Sequence, residues 1–87
     1  MVVVKGLIWD DWNKKHIAKH SIFQEEVEEV CQGEHKEIKS YKRRLLLNGK
    51  TNSGRLLVVV LSPEDRNGRT YEEGIYYVIT TYQRGSQ

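Results

Sequence analysis

Cysteine, proline, phenylalanine and methionine each occur once in the 87 residues. A single thiol, Cys31, cannot close an internal disulfide, so the chain lacks the staples of small secreted folds and a reducing, cytoplasmic setting is expected. No apolar run is longer than Leu56 to Leu61, far short of the roughly 20 residues that a membrane helix needs. Val2–Val4 is too short for a signal-peptide core, and Lys5 follows it where a small-residue cleavage site would stand. Glycine-rich phosphate loops are missing too, because Gly68, Gly74 and Gly85 have neither Walker nor dinucleotide spacing. No serine lies in a Gly-x-Ser-x-Gly turn.

The length suits one domain, 1–87, with one thin core. Apolar residues make up 38% of the chain, and the valine and leucine runs with five tyrosines and two tryptophans argue against disorder. Net charge is only +2, but its distribution is uneven. Residues 22–34 hold five glutamates and no basic residue, whereas residues 36–55 hold seven basic residues against Glu37 alone. Such an asymmetry suggests a face for a polyanion, with an ordinary pair of solvated faces as the simpler explanation.

Periodicity outlines the elements. Residues 2–9 read as a strand, and Asp10 is placed to cap a helix. On that helix Trp12, Asn13, His16, Ile17 and His20 share one arc, an oddly polar inner face. Ser21 with Gln24 suggests a capping box for a second helix, whose apolar stripe is Phe23, Val27, Val30 and Cys31 and whose end is Gly33. Cys31 on that stripe reads as a small core residue. Strand periodicity follows over 35–41 and around Leu45–Leu47, with a hairpin at Thr51-Asn52-Ser53-Gly54. The run Leu56–Leu61 has the pattern of a central strand covered on both faces, and Pro63 ends it. A loop over 63–74 leads to a last strand, Ile75–Tyr82. The expected fold is α+β, an N-terminal strand, two helices and a largely antiparallel four-strand meander, with the helices on one face.

Metal chemistry has little to build on. His16 and His20 stand four apart, as zinc-binding pairs do, but no glutamate follows His16 and Lys19 would repel a cation. Metal-free RNA cleavage needs fewer parts: a base for the 2′-hydroxyl, an acid for the leaving oxygen, and cations for the phosphorane. Histidine, lysine and arginine suit these roles, and tyrosine can stack on a splayed base or move a proton. Lys19, His20, Arg55, Tyr77, Tyr82 and Arg84 are residues of these types.

Several strings occur in a telling order: Trp9-Asp10, Lys19-His20, the Phe23-x-Glu25-Glu26-Val27-Glu28-Glu29-Val30 helix, Arg44-Leu45-Leu46-Leu47-x-Gly49-x-Thr51, and Gly54-Arg55 leading into Leu56–Val60. Together, over residues 7–82, they make the chain resemble the BrnT family, ribonuclease toxins of type II toxin–antitoxin pairs. That resemblance implies a RelE-like fold and an endoribonuclease that inhibits translation, and the lack of a convincing ligand set leads to the expectation that it needs no metal or cofactor. The resemblance also implies a cognate antitoxin of the ribbon–helix–helix type, through which alone operator DNA is bound. The expected catalytic residues are Lys19, His20, Arg55 and Tyr82. Lys42, Arg43, Arg44, Tyr77 and Arg84 are expected to bind RNA. Tyr77 and Tyr82 stand where the family often carries arginine. The alternative is a catalytically inactive, toxin-like module that binds a partner protein or RNA.

Overall fold

The computed structural model describes residues 3–41 and 44–84. The elements follow the order β1 (Gly6–Ile8), α1 (Asp11–Ala18), α2 (Gln24–Gln32), β2 (His35–Tyr41), β3 (Arg44–Lys50), β4 (Leu56–Ser62) and β5 (Ile75–Gln83). The class is α+β, and one five-stranded sheet has the order β1-β5-β4-β3-β2. β2 to β5 pair antiparallel with their chain neighbours, whereas β1 lies parallel to β5, which makes the sheet mixed.

Alternation along the strands sorts side chains between two faces. Leu45 and Leu47 of β3, Leu57, Val59 and Leu61 of β4, and Val78 of β5 join Ile17, Ile22, Val27, Val30 and Cys31 in the core under the helices. Burying each such aliphatic side chain contributes about 1.5–3 kcal/mol, so this layer is the main stabilising term. Leu46 opposite Val60, Asn48 opposite Val58, and Val58 opposite Tyr82 belong to the other face, which no helix of the described residues covers. β4 is the middle strand, and Leu57, Val58, Val59 and Leu61 on its two faces are all buried. In β5 the register passes from Val60↔Thr80 to Leu61↔Val78, so Ile79 is an extra residue in a bulge.

The helices differ from their expected form in instructive ways. Of the arc on α1, only Asn13 and Ile17 are buried. Asn13 is completely satisfied there: its amide donates to the carbonyls of Ile8 and Val78, both at 3.0 Å, and its oxygen accepts from the Asp10 N–H at 2.8 Å. It ties α1 to β1 and β5 at once. Trp12 and His20 are on the surface. α2 begins after Phe23, not Ser21: the Glu26 carboxylate accepts from the Phe23 N–H at 3.0 Å, and Ser21 takes a left-handed φ of 59° in the turn. Phe23 therefore precedes the helical stripe and is 68% exposed. The helix packs closely enough on β3 that a Cβ at Gly49 would lie 2.9 Å from Val30 Cγ1. Among the described residues no helix is long and apolar enough to cross a membrane.

Candidate functional site

Arg55 sits where the 51–54 turn enters β4, and its guanidinium draws three distant segments together. Nη1 donates to both Glu26 carboxylate oxygens, at 2.8 and 2.9 Å, and to the Ser21 carbonyl at 3.1 Å. Nη2 donates to Gln83 Oε1 at 3.2 Å, and the Arg84 N–H bonds the Leu56 carbonyl at 2.8 Å. Ser21 directly follows Lys19-His20, and Gln83 lies between Tyr82 and Arg84. Arg55 thus meets the chain neighbours of four other candidates, Lys19, His20, Tyr82 and Arg84, at one end of the sheet, although Tyr82 itself lies on the helix-free face. Its partners lie 28 to 34 residues away and were invisible to local patterns. Arg55–Glu26 is the ion pair found among the described residues.

The exposures of the convergent residues divide their roles. Lys19, His20 and Arg84 are exposed, and Tyr82 is 43% exposed on the helix-free face opposite Val58. Arg55 is half-buried, and its charge is already matched by Glu26. Both Glu26 oxygens hold the guanidinium, so in this arrangement Arg55 also fixes the junction.

Tyr77 needs correction. It is completely buried, and its hydroxyl donates to both oxygens of Asp10, at 3.1 and 2.9 Å. Burial, then the bond to Asp10, push its pKa from 10.0 up to about 12. A ring so enclosed cannot stack on an RNA base. Asp10 serves this phenol and also accepts the Asn13 N–H as the cap of α1. Lys42 and Arg43 lie outside the described residues. Arg44 is exposed at the start of β3 and, away from the Arg55 junction, lines a cavity of about 340 Å³ with Ser62, Asp65, Arg66 and Ile79.

The loop before β5 supplies residues that sequence reasoning passed over. Asp65 accepts from the N–H groups of Asn67 and Arg69 and from the Tyr71 hydroxyl, all at 2.9 Å. The Arg69 bond, above all, lowers its pKa; burial raises that of Tyr71, and Asp65 adds to the effect. Arg66 lies 4.3 Å over the Trp12 ring, which stacks on His16 at 4.9 Å, and His20 meets His16 edge-on at 5.6 Å. The histidine pair is thereby engaged in an aromatic ladder along α1. Among the described residues no three His, Cys, Asp or Glu side chains gather to hold a metal. The one available sequence signal was the Asp65-Arg66-Asn67-Gly68 turn, but Trp12 as its target was not legible.

Cys31 is buried on the inner face of α2, where burial and then Glu28 push its thiol from 9.0 up to about 12. It is a poor nucleophile in the folded state. A larger cleft of about 930 Å³ passes Cys31 and is bordered by Val3, Val4, Gly33, His35 and Lys36.

No family model, curated protein or solved structure matches the chain.

Proposed function

We propose that the chain is the toxin of a type II toxin–antitoxin pair, a cytoplasmic endoribonuclease that inhibits translation by cleaving RNA without a metal. The supporting observation is that the Arg55 guanidinium bonds both Ser21, which follows Lys19-His20, and Gln83, which lies between Tyr82 and Arg84. In this reading His20 exchanges protons with the 2′-hydroxyl or the leaving oxygen, and Lys19 and Arg84 face the phosphorane. Tyr82 offers a ring for a splayed base and a hydroxyl for its phosphate. Arg55 is a positioning residue that keeps the turn after α1 beside the end of β5. The strand order, with an N-terminal strand beside the last strand of a meander, supports the RelE-like assignment that the sequence strings suggest. A ribbon–helix–helix antitoxin would be the partner, and operator DNA would be reached only through it.

The test is cleavage of mixed RNA by purified protein in a chelator. His20→Ala and Arg84→Ala should each lower the rate roughly 10²-fold, the usual loss for a general acid–base group or a transition-state cation. Tyr82→Phe separates stacking, which it keeps, from hydroxyl chemistry, which it removes. Intact RNA with the unmodified chain, together with harmless expression, would remove the nuclease reading. The neutralisation of Arg55 by Glu26 favours the second reading, a toxin-like module that binds without cleaving. In that case RNA or a partner would still be retained on the same surface, and the variants would change affinity alone.

A further inference from the structure

The loop after β4 and the bulge in β5 enclose the 340 Å³ cavity, at the end of β4 remote from Arg55. Arg44 and Ser62 alternate with Leu45 and Leu61 of the core, so both point to the helix-free face. Ile79, the extra residue of the bulge, and Pro63 add apolar walls. The cavity is preformed. Asp65 accepts from the Asn67 and Arg69 N–H groups and the Tyr71 hydroxyl, while its own N–H bonds the Arg69 carbonyl at 2.9 Å. Ser62, only 7% exposed, accepts the Glu64 N–H at 3.1 Å. Arg66 borders the cavity and lies 4.3 Å over the Trp12 ring, which is itself stacked on His16. The indole thus fixes the guanidinium plane from one side and leaves the other side for a second flat group.

Net charge does not select the occupant, because Arg44 and Arg66 are matched by Glu64 and Asp65 around the same space. Shape and hydrogen-bonding capacity do. The volume is at the lower end of small-molecule sites, and a guanidinium plane is a surface on which an unpaired base stacks. Asp65 already accepts three bonds, so Glu64 is the carboxylate left for a ligand's donors. Guanine is the base whose two edges need both partners present. Its O6 and N7 accept from an arginine, and its N1–H and N2–H groups donate to a carboxylate. We propose that this cavity holds a guanine base of a single-stranded RNA, stacked on Arg66, with its donor edge on Glu64 and its acceptor edge on Arg44. It is a specificity pocket about 20 Å along β4 from the Arg55 junction, and its RNA occupant rests on the ribonuclease reading.

The probes are the four ribonucleoside 5′-monophosphates and inorganic phosphate, each titrated into the isotope-labelled full chain while amide resonances are followed. The guanine nucleotide should bind at least about fivefold more tightly than the other three. It should shift the amides of Arg44, Ser62, Glu64, Arg66 and Ile79. Glu64→Gln should weaken the guanine nucleotide about tenfold and leave the adenine nucleotide unchanged. Arg66→Lys keeps the charge but not the plane, and should weaken binding about fivefold. Arg66 is exposed, and thermal unfolding checks that each variant folds. Equal binding of all four nucleotides would overturn the proposal, as would inorganic phosphate binding as tightly as the guanine nucleotide. So would unchanged binding by Arg66→Lys, shifts confined to another surface, or no binding at about 10 mM. Cleavage of mixed RNA is measured separately. Cut RNA without a guanine preference removes the pocket alone, whereas intact RNA with the guanine nucleotide bound here removes the nuclease alone.

Discussion

The Glu26 carboxylate grips Arg55 through both of its oxygens, at 2.8 and 2.9 Å, across 29 residues of chain. Glu26 also accepts the Phe23 N–H, so one carboxylate caps α2 and anchors the start of β4 to it. The pair joins the acidic helix to the basic hairpin, the two segments whose opposite charge stands out in the sequence. That asymmetry thus has an intramolecular use at one point at least. The side chains are 26% and 14% exposed, between a surface pair worth little and a buried pair that is costly to break.

Glu26→Gln should lower stability by about 1–2 kcal/mol, because the cap survives in part but the charge opposite Arg55 does not. Arg55→Gln should cost a similar amount. A double-mutant cycle by urea unfolding should give a coupling of about 1 kcal/mol. Additive losses would show that Arg55 is held by the Ser21 and Gln83 oxygens instead. If the chain cleaves RNA, Glu26→Gln should leave the His20-dependent step measurable, whereas Arg55→Gln should loosen the convergence of Ser21 and Gln83 and lower the rate.

Asn13 is the buried polar residue on which α1 depends. Asn13→Leu should cost about 2–4 kcal/mol, since it leaves the Ile8 and Val78 carbonyls and the Asp10 N–H without their partner. Thermal unfolding measures the loss. A stability equal to the unmodified chain would mean that water replaces all three bonds, and α1 would then need another explanation for its seat.

What the sequence made legible follows from how local each signal is. The Leu56–Leu61 run marks a central strand, and β4 does lie in the middle of the sheet; Leu57, Val59 and Leu61 pack under the helices, whereas on the other face Val58 is buried but Leu56 is 43% exposed. Asp10 as a cap, the Thr51–Gly54 turn and Gly33 as a stop are decided within a few residues. The polar arc on α1 was visible as an oddity, but its cause is two carbonyls on separate strands, which no local pattern encodes. Tyr77 had the composition of a base-stacking residue, and only the tertiary position of Asp10 shows it to be interior. Phe23 has the right spacing for the core stripe, but helix α2 starts one residue later. Of the site, the residue types were legible and the junction that gathers them was not.

Thr81 is completely buried at the end of β5 opposite Val59, and its hydroxyl has no hydrogen-bond partner among the described residues. Thr81→Val keeps the shape and removes that hydroxyl. It should raise stability by about 0.5–1.5 kcal/mol, because desolvation of an unpaired polar group is no longer incurred. A raised urea midpoint with an unchanged slope confirms this. A loss would reveal a bond to an ordered water or a packing misfit.

The alkaline limb of stability should report two buried groups. Tyr77 is raised from 10.0 to about 12 and Cys31 from 9.0 to about 12, so in both the native state holds the proton more tightly than the unfolded chain. Their contribution is complete below the unfolded values and is lost as pH rises toward the folded ones. The urea midpoint should stay level up to about pH 9, fall as Cys31 enters its window, and fall more steeply above pH 10 as Tyr77 joins it. Tyr77→Phe should begin about 1–2 kcal/mol less stable at neutral pH, having lost the bond to Asp10. Its decline above pH 10 should then be shallower, so the two curves approach each other. Cys31→Val should remove the portion that starts near pH 9 and leave the later portion unchanged. Lysine deprotonation affects all three chains alike and cancels in the comparison. Parallel curves for Tyr77→Phe and the unmodified chain would mean that the phenol ionises freely while the protein is folded, which the closed Asp10–Tyr77 contact does not permit.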